Sequence, residues 1–63
     1  MDRRTPELKL ILLMEEQLKH LREAYDNFKL GRTDLNQAAL HSEQIGIALA
    51  EQSREIIKEK ETL

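Results

Sequence analysis

The 63-residue sequence has no cysteine, no tryptophan and no valine, and only one proline and two glycines. Without cysteine there is no disulfide staple and no thiolate metal site. Two histidines without cysteine are a poor basis for structural zinc. Tyr25 and Phe28 are the two aromatic residues. A chain this short buries only about 60% of its unfolded surface, so its own core is marginal. With no staple, the remaining remedy is association with itself or with another protein.

No charge of one sign dominates. Ten Lys and Arg against twelve Asp and Glu leave a formal net charge of −2. A nucleic-acid module needs a basic face, and the densest basic stretch here is Arg3-Arg4 at the start of the chain. Residues 1–33 hold seven basic and six acidic side chains, and residues 34–63 hold three and six. That asymmetry is too weak to imply a nucleic-acid partner or an anionic membrane.

Long hydrophobic runs are missing too. The longest, Leu10-Ile11-Leu12-Leu13-Met14, is far short of the ~20 residues a membrane span needs. It follows two arginines as in a signal peptide, but Pro6, Glu7 and Lys9 break the approach. Glu15-Glu16 then stands where a small-residue cleavage site would be. No lipid-anchor motif is visible, and the expected location is the cytoplasm.

Chemistry-bearing constellations are equally scarce. His20 and His41 fall on different predicted helices and have no third ligand in reach, so they read as solvated surface histidines. Glu16-x-x-Lys19 and Glu23-x-x-Asp26 fail the Glu-x-x-His pattern of di-metal bundles, and surface pairs such as Glu15–Lys19 are expected instead. His41 and Ser42 are helix neighbours and do not face each other. There is no Gly-rich phosphate loop. The expectation is a non-enzyme with no catalytic residue, no cofactor and no metal.

What the sequence has in quantity is leucine, eleven residues of it, set at helical spacing. Thr5 can cap a helix, Pro6 suits its first position and Glu7 complements its positive end. Ile11, Met14, Leu18, Leu21, Tyr25 and Phe28 then recur at alternating steps of three and four, a heptad seam. Gly31 is placed to end that helix. Thr33 or Asp34 caps the next one, with Asp34 and Gln37 resembling a capping box. Leu35, Ala38, Ser42, Ile45, Leu49 and Ile56 share one phase, with Gln52 its polar member. Ala39, Gly46 and Ser53 form a small-residue stripe beside it. After Ile57 the alternating Lys and Glu residues read as a solvated helix end.

The fold predicted is all-α: one antiparallel two-helix hairpin over residues 1–63, completed by self-association or by a helical partner. Its helices span about 6–30 and about 34–60, joined by a turn at about 31–33. Each helix carries more apolar surface than one partner helix can bury. Leu10 and Leu13 add apolar surface over the first turns; Leu8 and Leu12 widen the first helix, and Leu40, Ile47 and Ile57 widen the second. The last five, with the two seams, are the expected core or interface.

Leu21-Arg22-Glu23-Ala24 before Gly31, the polar start Asp34-Leu35-Asn36-Gln37, and Ala50-Glu51-Gln52-Ser53-Arg54-Glu55-Ile56-Ile57 carry a resemblance. Over about residues 8–57 the chain resembles the small E-type cochaperones of bacterial type III secretion needle proteins. The resemblance implies a cytoplasmic helical hairpin that stabilises a tetratricopeptide-like chaperone, the pair keeping a needle subunit from polymerising. Leu18, Leu21, Phe28, Ile45, Leu49, Ile56 and Ile57 would be its apolar faces. Two other readings stay open. One is a homodimeric four-helix-bundle regulator, similar in architecture to plasmid copy-number control proteins. The other is the small subunit of a bacterial nuclease: Met14-Glu15-Glu16-Gln17-Leu18-Lys19 and the turn to Leu35 look like that of exonuclease VII.

Overall fold

A computed structural model describes residues 4–61, and Arg3, Thr62 and Leu63 lie outside the described residues. Two helices, α1 (Pro6–Lys29) and α2 (Leu35–Glu61), pack as an antiparallel hairpin. The rod measures 46 × 16 × 15 Å.

Local chemistry sets each helix boundary. Thr5 is extended, at φ −68° and ψ 156°, and its Oγ1 accepts the Leu8 N–H at 3.1 Å. Pro6 follows at the first helical position, where its missing N–H has no intrahelical partner to lose. Past Lys29 the chain reverses on Gly31, whose φ of +77° suits a residue without Cβ. Arg32 N–H donates to the Asn27 carbonyl at 2.8 Å and Gly31 N–H to that of Phe28 at 3.1 Å. Together these two bonds are the Schellman pattern that satisfies a helix's last carbonyls.

Asp34, not Thr33, caps α2. Its Oδ1 accepts the Gln37 N–H at 2.8 Å, and Gln37 Oε1 accepts the Asp34 N–H at 3.1 Å. Two orphan donors are thus satisfied by two neighbouring side chains. The Thr33 hydroxyl is buried and has no hydrogen-bond partner among the described residues.

The open end of the hairpin is tied by charge. Lys60 Nζ lies 2.7 Å from Glu7 Oε1, and Lys9 Nζ lies 2.9 Å from Glu59 Oε1. The Lys-Glu stretch read from sequence as merely solvated is exposed, yet it reaches back to the first turns of α1. These pairs also fix the register. Each step forward along α1 is level with one step back along α2.

Between the helices the seam is thin. Leu13 and Ala24 are its buried apolar residues, at 7% and 8% exposure, and Gln17 sits between them at 9%. Leu10 on α1 and Ile45, Leu49 and Ile56 on α2 are half-buried around them. Ordering a residue's backbone costs about 1–2 kcal/mol, and fully burying a leucine returns about 1.5–3 kcal/mol. A seam of this size leaves a 51-residue helical pair short of burial.

Removing the Asp34 carboxylate leaves the first turn of α2 without its acceptor. Asp34→Ala is expected to cost about 1 kcal/mol, read as a lower urea midpoint at fixed chain concentration.

The Lys60 hydrogen bond holds the Glu7 carboxyl below the usual glutamate range, and the same bond holds the Lys60 ammonium above the usual lysine range. Glu7's contribution is therefore present above its unfolded-state pKa and lost as pH falls through the lowered folded value. That of Lys60 is lost only as pH rises through its raised value. Acidification should detach the open end first. In Glu7→Gln that acid step should shrink, as measured by amide exchange near the end of α2 across the acid range.

Candidate functional site

The heptad seam of α1 does not face α2. The side chains turned toward α2 are Leu10, Leu13, Gln17 and Ala24, each one position before Ile11, Met14, Leu18 and Tyr25. One residue is about 100° around a helix. The richer apolar row is therefore rotated onto a flank of the hairpin. Its members are all exposed, with Leu18 at 65% and Met14 at 54%.

This flank continues onto α2. Leu18, Leu21, Tyr25 and Phe28 line an open groove of about 910 Å³ together with Ala38 and Ser42. From Ser42, steps of four, three and four residues lead along the same side of α2 through Gly46 and Leu49 to Ser53. The face thus pairs a row of large side chains on α1 with a row on α2 that is small at Ser42, Gly46 and Ser53, Leu49 turning from it toward the seam. Arg22 and Lys29 cap the Tyr25 ring, with their charges 5.9 and 5.7 Å from its centroid. Leu35 and Ile57 mark the two ends of the α2 side and are exposed.

The opposite flank is polar. Gln17, His20, Glu23 and Asn27 line a second groove with His41 and Gln44, beside Ala24, Ile45 and Ala48. The hairpin brings the two histidines into one groove, which their separation in sequence left open. No group of three His, Cys, Asp or Glu residues able to hold a metal occurs among the described residues. The predicted Glu15–Lys19 pair does not form. The surface pairs on the helices are Arg22–Asp26 and Glu55–Lys58, each at 3.4 Å.

The fifteen large apolar residues expected as core or interface are thus divided. Ile45, Leu49 and Ile56 lie half-buried along the seam between helices. Ile11, Met14, Leu18, Leu21, Tyr25 and Phe28 form the exposed row, with Leu35 and Ile57 at its margins. Leu8, Leu12, Leu40 and Ile47 are also exposed; Leu8 and Leu12 are i,i+4 neighbours beside Ile11, whereas Leu40 and Ile47 have polar neighbours. Sequence reasoning missed Leu10, Leu13, Gln17 and Ala24 as the inward row. Their four-and-three spacing was present but weaker, since it mixes a glutamine and an alanine with two leucines.

The exposed area is large for the chain's mass. Its accessible surface is 5436 Å². A folded monomer of 7.4 kDa is expected to expose about 4,200 Å². The surplus of roughly 1,200 Å² follows from the thin two-helix rod, which has little interior for its length. No described helix is long and apolar enough to cross a membrane. Set against protein-family models, curated proteins and solved structures, the chain matches none.

Gln17 occupies a place on the inward row that an apolar side chain would fill better. Gln17→Leu should raise the thermal midpoint, with a gain on the order of 1 kcal/mol. A fall would mean that the amide makes a bond the seam needs.

Proposed function

We propose that this chain is a non-catalytic protein-interaction module whose working surface is the apolar face formed by α1 and the small-residue side of α2. The observation that carries this reading is the unbroken heptad row from Ile11 to Phe28, exposed along nearly the whole of α1. A row with coiled-coil spacing is shaped to receive helices. Exposed large side chains in one continuous row mark a surface that partners cover. The polar second groove has no such shape, so binding is one-sided.

The resemblance to E-type cochaperones supports a specific version of this role. In it, a tetratricopeptide-like chaperone would cover the face in the cytoplasm, and the pair would hold a needle subunit unpolymerised. Leu18, Leu21 and Phe28 would then meet the chaperone's helices.

A photo-crosslinking side chain placed at Leu21 should give adducts with protein in the native host. The same group at Gln44, in the polar groove, should give few. Equal yields from both positions, or none from either, would remove the face as a binding surface.

A further inference from the structure

The apolar face is matched to itself. Its register, set by the Glu7–Lys60 and Lys9–Glu59 pairs, places Met14 level with Ser53, Leu21 level with Gly46 and Phe28 level with Ala39. Large and small residues therefore stand side by side, each series repeating every seven positions. We propose that a second copy of this chain covers the face, related by a two-fold axis parallel to the helices, so that each α1 lies on the partner's α2. This rests on the reading of the face as a protein-binding surface, and it names the occupant.

A two-fold axis along the rod preserves height and exchanges the two helices. Leu21 then meets Gly46 of the partner subunit, and Met14 and Phe28 meet the partner's Ser53 and the partner's Ala39. Large side chains enter the space left by small ones, the arrangement that lets facing layers interdigitate. The other face-to-face two-fold runs across the rod. It would set α1 on the partner's α1, large row against large row, and would leave the small row facing its own copy.

Gly46 supports the first arrangement. It lies in mid-helix, where glycine is disfavoured by about 1 kcal/mol relative to alanine. In the hairpin nothing lies within 4 Å of a Cβ built there. The hairpin gives no steric reason for glycine, whereas a neighbouring leucine does.

Charge at the rims agrees. Glu15 and Arg22 continue the outer edge of the face on α1, and Glu43 and Arg54 do so on α2. Under the proposed symmetry Arg22 falls beside Glu43 of the partner subunit, and Glu15 beside the partner's Arg54. Each pair is offset by two residues, about 3 Å along the axis, and each occurs twice. Glu15, Glu43 and Arg54 make no ion pair within the chain among the described residues. Like charges meet at neither position.

Sedimentation equilibrium of the unmodified chain should give twice the 7.4 kDa chain mass at micromolar concentration. Arg22→Glu and Glu43→Arg should each weaken dimerisation roughly tenfold by placing like charges at both rims. An equimolar mixture of the two variants should recover wild-type affinity, because the mixed pair is complementary at both rims. The chain has no cysteine, so a mixture of L21C and G46C chains should oxidise to the mixed disulfide in preference to either homodimer. A preferred L21C–L21C disulfide would overturn the two-fold along the rod in favour of α1 on α1. A monomer at every concentration would overturn the second copy as occupant. If that monomer still crosslinked to another protein through Leu21, the binding face itself would stand. Sedimentation of the unmodified chain decides the matter even if a variant fails to fold.

Discussion

The fold depends on how little the two helices bury between them. Leu13 and Ala24 are covered, Gln17 lies between them, and the remaining contacts are half-open. An interior of that size cannot hold two helices of 24 and 27 residues rigidly by burial alone. The hairpin is therefore held at its ends: by the Gly31 reversal and the Asp34–Gln37 box at one, and by two lysine–glutamate pairs at the other. Exposed ion pairs are individually weak. Here they act at the point where the helices would otherwise splay. The large side chains that could have strengthened the seam point outward instead.

Features that depend on a few neighbouring residues were legible in the sequence. Thr5, Pro6 and Glu7 at the start of α1, Gly31 after its end, and Asp34 with Gln37 at the start of α2 act within one turn, so their pattern carries their geometry. The inward row of α2 was legible for a related reason: Ile45, Leu49 and Ile56 form its most apolar stripe.

The direction of α1 was not legible. Leu10, Leu13, Gln17 and Ala24 form one heptad row, and Ile11, Met14, Leu18 and Tyr25 form its neighbour. Periodicity reveals both rows but does not say which one meets α2. Hydrophobic content favours the outer row. What selects the inner row is packing against α2: Ala24 lets the helices approach closely, whereas Tyr25 and Phe28 would hold them apart. The Glu7–Lys60 and Lys9–Glu59 contacts join residues about fifty positions apart, and nothing local to either partner announces them.

A thin interior, a rich exterior row and a polar opposite flank belong to one logic. If both flanks of the hairpin were apolar, each copy could bind two others, and association would propagate without end. Gln17, His20, Glu23, Asn27, His41 and Gln44 keep one flank wet, so cover can come from one side only. Under the proposed pairing that restriction closes the assembly at two chains. A heterologous helical partner would be limited in the same way. Under the proposed pairing the polar groove would limit how many chains assemble, and the apolar face would select them. Gln17 touches both tasks, since it lies on the inward row and also lines the polar groove. Its amide is the polar group that the inward row and that groove share.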